Sequence, residues 1–439
     1  MRRNAVELLD SRLSNLHFEQ KILLIEQIRD LCFEHEMEAI IDSSPLPVQT
    51  EIPLCKKCGS AHVSRFGTRN HAQRYRCNGC GHVFATEKKR SLVGSSKLSK
   101  TKWMRFVNCF VDGLPIAKCA ANCGVSEKTA YSMRLRVLSL IEQTSDAWTL
   151  QAGQRAEIDE TFVLESFKGN RTKCKDFEMP RASLTRGRKG DYRRKHGAGL
   201  NAADYLCVIT GVDERRKTFL EIAGRGHGTI DECKRALEGK LAPNSRVSTD
   251  DYGVYPGILK TMGVCHASYV SSDSQGNLNH VNALHSQFKS FLARKRGVST
   301  RRLSLYLAEF SWRWSTCMND DSTSLTASKI VRKIASTDFQ TKVVDFKYSE
   351  YPCMDWWKTD EGKKENIRIE VDIAQYALRK ARKDPDAPED RIQLLSEIEE
   401  DLLEKAAEAG VVLQATEDEA ANHAKKEQPR PLTMFMLKS

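Results

Sequence analysis

Long apolar runs are missing from this chain of 439 residues: nothing approaches the roughly 18 consecutive apolar side chains a membrane span requires, so no crossing is expected. A secretory leader is missing too. Met1-Arg2-Arg3-Asn4 leads on into charged residues, with no apolar stretch ending at a small-residue cleavage site, and the protein is expected to stay inside the cell. No internal repeat of solenoid period is visible. The cysteines do not form a secreted disulfide framework, because four of the fourteen sit in two Cys-x-x-Cys pairs and ten are scattered, which fits a reducing compartment. Acid is scarce where base concentrates. Lys168 to His196 holds eleven Lys/Arg against three Asp/Glu, and Lys289 to Arg302 holds six basic residues and no acid. With a formal net charge of +11, this central surplus points to a polyanion as partner.

The length exceeds what one core usually serves, so two or three folded units are expected. Residues 1–50 show a helical pattern around Ile25, Ile28, Leu31 and Cys32, closed by the linker Ser43-Ser44-Pro45-Leu46-Pro47, and read as a helical preface. Residues 51–90 are cysteine-led and Gly-punctuated, and 97–145 turn helical. From 154 to 320, β-rich runs (Glu157 to Val163, Tyr205 to Val212, Thr218 to Ala223, Arg246 to Thr249) mix with helical stretches, the texture of an α/β domain. Residues 340–439 read as a charged helical tail. Asp384-Pro385-Asp386-Ala387-Pro388 breaks it, Ile392, Leu395, Ile398 and Leu402 mark an amphipathic helix, and Ala415 to Ser439 has the composition of disorder. The expected fold class is multi-domain α/β.

Cys55-Lys-Lys-Cys58 and Cys77-Asn-Gly-Cys80, separated by eighteen residues, offer four thiolates at the spacing of a structural zinc ribbon. Gly59 and Gly81 follow the pairs, letting the chain turn so that amides point at the sulfurs. About thirty residues with few large apolar side chains could hardly fold without metal. Arg65, Arg69, Arg74, Tyr75 and Arg76 suit a DNA phosphate surface; a solvated hairpin face is the other reading. Next, the stretch from Leu114 to Arg136 reads as helix-turn-helix. Ala117, Ala120 and Ala121 allow close packing, Gly124 makes the turn, Val125 plugs the corner and Ser126 caps a recognition helix with exposed Lys128, Arg134 and Arg136 as DNA-binding residues. An ordinary helical hairpin is the alternative.

Glu157-Ile-Asp159-Glu160 begins the first β-rich run, and Ser248-Thr-Asp250-Asp251 ends a later one. Two-metal phosphoryl transfer needs oxygen ligands on both sides of a phosphate, and carboxylates on neighbouring strands supply them rigidly, which nominates Asp159 and Asp250 as ligands of Mg²⁺ or Mn²⁺. Together with His280-Val-Asn-Ala-Leu-His-Ser-Gln-Phe-Lys289 and Gly297-Val-Ser-Thr300, these segments resemble the bacterial insertion-sequence transposases of the fifteen-ninety-five group, ISXO-two-like. The resemblance covers about residues 54–317. It implies an RNase H-like mixed five-stranded sheet behind the ribbon, DNA strand cleavage and transfer, double-stranded DNA partners (transposon ends and target), at least a homodimer, and a cytoplasmic, nucleoid-associated bacterial protein.

By that resemblance the first two family aspartates fall on Asp159 and Asp250, and the third acidic position, on a helix, falls on His285, with thirty-four residues between it and Asp250. Histidine suits Mn²⁺ better than Mg²⁺. Three readings stay open here: His285 as ligand, Asn282 as ligand one turn earlier, or His285 as general base. Lys289, four residues on, could hold a phosphate of the transposon end. The basic segment after the first catalytic strand, with Arg188, Lys189, Arg193 and Arg194, is expected to clamp phosphate backbone. Trp312 and Trp314 read as core. The rival functions are a non-enzymatic DNA-binding regulator and a catalytically degenerate transposase.

Overall fold

The computed structural model describes residues 16–43, 52–69, 72–85, 90–169, 177–182, 205–269, 278–318, 322–411 and 413. The expected DNA contacts Arg188, Lys189, Arg193 and Arg194, the linker after Ser43 and the segment from Ala415 onward lie outside them. No helix among the described residues is long and apolar enough to cross a membrane.

Helix α1 (Phe18–Ser43) is followed by a three-stranded sheet of β1 (Val63–Arg69), β2 (Ala72–Cys77) and β3 (Val83–Ala85), antiparallel at both pairings. Three helices follow: α2 (Lys100–Val111), α3 (Ile116–Cys123) and α4 (Glu127–Thr144). Their ends are written in side chains. Ser99 accepts from the Lys102 amide to cap α2, Gly124 adopts φ 59 to close α3, and Ser126 accepts from the Thr129 amide to cap α4. Apolar spacing buries Trp103, Phe106, Val107 and Phe110 on α2 and Ala130, Met133, Val137 and Ile141 on α4.

A five-stranded mixed sheet comes next, built from β4 (Arg155–Leu164), β5 (Tyr205–Asp213), β6 (Thr218–Arg225), β7 (Arg246–Asp250) and β8 (Cys265–Tyr269) in the order β6-β5-β4-β7-β8. β5 runs antiparallel to β4, while β4, β7 and β8 are parallel. Helices α5 (Ile230–Leu237), α6 (Tyr255–Thr261) and α7 (Asn279–Arg294) belong to the same region. Strand β5 is buried on both faces, as in the run Leu206 to Ile209, which is what a strand covered on both sides demands. Helix α7 buries Val281, Leu284, His285, Phe288 and Phe291, a helical-period stripe into which one imidazole is set.

Helices α8 (Leu303–Met318), α9 (Thr323–Ser336), α10 (Val343–Tyr348), α11 (Asp360–Arg382) and α12 (Glu389–Glu408) complete the chain. Two compact units result: residues 1–148, 216–218 and 304–349, and residues 149–215, 219–303 and 350–439. In the first unit Trp312 stacks on Phe110 at 5.9 Å, and Arg313 donates to the Phe110 and Val111 carbonyls at 2.6 and 3.1 Å, so α8 has its partners on α2. Trp314 is core, its indole N–H on the Arg216 carbonyl at 2.7 Å.

In the second unit the late segment is equally integral. Glu165, 1% exposed and directly after β4, accepts from Arg181 Nε at 3.1 Å, from Arg225 Nη2, and from Trp357 Nε1 at 3.3 and 3.2 Å. The guanidinium of Arg225 lies 4.8 Å from the Trp357 ring and that of Arg181 5.2 Å from it. Helices α11 and α12 bury Val371, Ala406 and Val411 together, flanked by Ile367, Leu402 and Leu403. The helix expected from Ile392 to Leu402 is present, although Ile398 is 40% exposed.

Candidate functional site

In the first unit, the Sγ atoms of Cys55, Cys58, Cys77 and Cys80 all lie within 4.8 Å of one another, with Cys55–Cys80 at 3.5 Å and Cys58–Cys77 at 3.6 Å. A tetrahedral zinc with Zn–S near 2.3 Å sets sulfurs about 3.8 Å apart, so the four residues fit that ion. The amide of Cys80, against burial, and then that of Gly79 bring the Cys77 thiol down to about 6. Amides of Cys58 and Lys57 likewise lower Cys55 against the burial that would raise it. Both knuckles thus aim backbone donors at sulfur. Among the described residues, the core cluster of this three-stranded sheet holds Val63, Tyr75 and Phe84 beside Cys55 and Cys77, too little apolar surface to stand without a staple. On its surface, Phe66 is exposed with Arg74 and Arg76 over the ring at 5.4 and 5.8 Å.

The turn between α3 and α4 forms as expected, but two expectations about its side chains need correction. Arg134 is not exposed. It is 7% accessible, donates to the Leu114 carbonyl at 2.7 Å and approaches Cys119 Sγ at 3.9 Å, because position 134 falls on the inner stripe of α4. Arg136 is half-buried, its guanidinium on Ser95 Oγ at 3.1 Å and over the Trp103 and Phe339 rings at 5.8 and 5.5 Å. Only Lys128 of the three is exposed. Similarly, Ala120 packs inward, whereas Ala117 and Ala121 are exposed and Cys119 and Cys123 take the inner places.

The second unit brings carboxylates together at the end of β7. β4 and β7 pair in register through Glu157 and Ser248, and continuing that register sets Asp159 beside Asp250, where β7 stops. Oxygens of Asp159, Glu160 and Asp250 lie within 4.8 Å of one another. Burial first and the Asp250 charge second raise Asp159 to about 6. Burial lifts Glu160 further, to about 8, against the nearby Tyr255 hydroxyl and with the charges of Asp159 and Asp250. Glu160 Oε1 is buried with no hydrogen-bond partner among the described residues. Crowded, desolvated carboxylates, with Asp159 and Glu160 both raised above their ordinary values, are a donor set that fits a hard divalent ion.

Helix α7 is fixed to this strand by Glu157, whose Oε2 accepts from the His280 and Val281 amides at 2.8 and 2.9 Å and whose Oε1 meets His280 Nδ1 at 2.5 Å. An anion on the first amides of a helix complements its dipole. So anchored, α7 delivers His285 to Asp159. The Thr210 hydroxyl donates to the Asp159 carbonyl at 2.9 Å, so its lone pair accepts from His285 Nε2 at 2.7 Å. The hydrogen bonds therefore assign the proton to Nε2 and leave the Nδ1 lone pair 3.6 Å from Asp159 Oδ2. Burial, then Lys289, holds the imidazole down to about 4, so this contact is no ion pair. Two lone pairs facing one another define a place for a cation.

Lys289 is exposed on α7, and its charge acts on both Asp159 and His285. Asn282 is exposed one turn before His285, and His285 is the one packed toward Asp159. Glu160 was present in the acidic run but not singled out as a ligand; its position next to Asp159 in sequence was the available signal.

No protein-family model matches the chain, and no curated protein matches it by sequence. Among solved structures, 47% of this chain is similar to 67% of a chain in the cryo-electron-microscopy structure of the simian T-cell lymphotropic virus intasome in complex with the PP2A regulatory subunit B56 gamma, at 11% identity and a TM-score of 0.22. An overlap at that score fixes neither the fold nor the activity of this chain.

Proposed function

We propose that the protein is a metal-dependent DNA transposase of a bacterial insertion sequence, cleaving phosphodiesters at element ends and joining them to target DNA. The observation that carries the reading is the meeting of Asp159, Glu160 and Asp250 at the end of β7, with Nδ1 of His285 3.6 Å from Asp159 Oδ2. The strand order β6-β5-β4-β7-β8, antiparallel then parallel about β4, supports an RNase H-like catalytic domain. The four clustered cysteines and the capped α3–α4 turn support a zinc ribbon and a helix-turn-helix that bind double-stranded DNA, with two copies needed to hold two ends.

Asp159, Glu160 and Asp250 would hold Mg²⁺ or, with the nitrogen of His285 beside Asp159, Mn²⁺, which would polarise a phosphodiester and acidify a bound water. The chain's own residues do the rest. Thr210 fixes the tautomer that turns Nδ1 inward, Glu157 holds α7 in place, and Lys289 offers an exposed ammonium to a phosphate oxygen. Water attacks phosphorus in line and displaces the 3′ oxygen, leaving a 3′-hydroxyl and a 5′-phosphate. That hydroxyl then attacks a target phosphodiester and displaces its 3′ oxygen. The test is cleavage of a labelled duplex carrying the element's terminal repeat, in Mg²⁺ and in Mn²⁺. Asp250→Ala should lose cleavage and keep end binding, whereas tight binding without cleavage by the wild-type protein would leave only the regulatory or degenerate reading.

A further inference from the structure

Helix α7 turns one stripe to solvent that begins beside His285 and leads away from the carboxylates. Asn282, Ser286, Lys289, Ala293 and Arg296 are all exposed at helical spacing, away from the face that buries Val281, Leu284 and Phe288. No Asp or Glu occurs from Asn279 to Arg302. The near end of the stripe is fixed by Lys289, whose charge reaches Asp159 and His285. Its far end is Arg296, seven residues on. There the backbone stands at φ 54, in the left-handed region that favours glycine, yet position 296 carries a long cation and the glycine, Gly297 at φ 94, comes one place later. The turn is clasped from β4. Lys168 Nζ donates to the Arg296 and Gly297 carbonyls at 3.1 and 3.2 Å, and the Thr300 amide donates to the Ser166 carbonyl while the Ser166 amide donates to Thr300 Oγ1, both at 2.8 Å. Among the described residues the Arg296 guanidinium has no hydrogen bond or ion pair. Nor does the helix dipole call for it, since Arg294 already stands in the last turn.

We propose that Arg296 is a second phosphate-binding subsite, and that the DNA strand whose phosphate meets Lys289 runs along the exposed stripe of α7 to reach it. The inference rests on the reading of the cluster as acting on DNA. Seven helical residues advance about 10 Å, which matches about three nucleotide steps of a duplex strand at 3.4 Å each. Ala293, between the two cations, is short enough to let a sugar-phosphate backbone lie close to the helix. A guanidinium whose main chain is already clasped loses less freedom on gripping a phosphate, and its fork can hold two phosphate oxygens at once. Strain kept at a residue with an unpaired, exposed cation is accounted for by a ligand for that cation.

The experiment measures the affinity of the full-length, zinc-loaded protein for a short DNA duplex of mixed sequence across a series of salt concentrations, in parallel with Mn²⁺ binding and DNA cleavage. The slope of log affinity against log salt should fall by about 0.9, one phosphate, in Arg296→Gly and in Lys289→Ala, and by about 1.8 in the double variant, with Arg296→Lys at the wild-type slope. Glycine suits φ 54, so Arg296→Gly should melt close to the wild type and a lost slope is not a lost fold. An unchanged slope in Arg296→Gly overturns the proposal. So does a double variant that loses no more than Lys289→Ala alone, which would put both cations on one phosphate. Failure of the underlying reading looks different: Arg296→Gly flattens the slope while the wild type neither binds Mn²⁺ nor cuts DNA, in which case the phosphate contact stands and the catalytic reading falls.

Discussion

Filling the carboxylate cluster with a divalent ion should expel protons, and Glu160 sets the number. With Glu160 at about 8 and Asp159 at about 6, about nine-tenths of the former and one-tenth of the latter are protonated at pH 7. His285, held at about 4, carries no proton to release. A cation needs every carboxylate ionised, so about one proton should leave per ion at pH 7 and about half a proton at pH 8. The sign follows: apparent Mn²⁺ affinity rises with pH, about tenfold per unit near pH 7. The metal-free protein shows the same linkage in its stability. The folded values of Glu160 and Asp159 lie above their ordinary 4.5 and 3.8, so their contribution is fully present below those values and is lost as pH rises through about 8 and 6. Titration calorimetry of Mn²⁺ into zinc-loaded protein, in two buffers of different ionisation enthalpy, counts the protons. Glu160→Gln should cut the release at pH 7 to about one-tenth of a proton. No release by the wild type, or a full proton still released by Glu160→Gln, would refute the placement of Glu160 in the cluster.

Cys77→Ser should lose bound zinc and the amide-exchange protection of β1 to β3, and one zinc still held per chain would remove Cys77 from the ribbon site. Glu165→Ala strands two buried guanidinium groups and should cost about 3–5 kcal/mol, seen as a lower denaturant midpoint and faster proteolysis of residues 350–411; a shift under about 1 kcal/mol would contradict the buried network. Lys128→Ala should weaken DNA binding and flatten the salt dependence by about one unit of slope, whereas Arg134→Ala should lower the melting temperature with the slope unchanged. A loss of slope in Arg134→Ala would put its guanidinium on a phosphate after all.

The ribbon and the α3–α4 turn were legible because each is specified locally, by Cys-x-x-Cys spacing and by Gly124 followed by Ser126. Asp159 was legible as an acid inside a β-rich run and Asp250 as one that ends a strand. The inner face of α4 was also readable: Ala130, Met133, Val137 and Ile141 already place position 134 among them, and the charge of Arg134 hid the pattern. Glu160 was harder, since strand alternation sends it to the face opposite Asp159. Its oxygens nonetheless lie within 4.8 Å of those of Asp159 and Asp250, a juxtaposition that strand alternation alone does not predict. The two-unit partition was invisible for the same reason: nothing in Trp312 or Arg313 says that α2 will be the partner, and nothing in Trp357 names Glu165.

That last contact has a consequence in time. Glu165 directly follows the strand bearing Asp159 and Glu160, yet the indole that seals it arrives 192 residues later in synthesis. A nascent chain therefore carries Asp159, Glu160, Asp250 and His285 well before the strand beneath them is closed. An interrupted product that ends short of Trp357 should hold all four side chains on a strand whose buried Glu165 still lacks the indole that closes it.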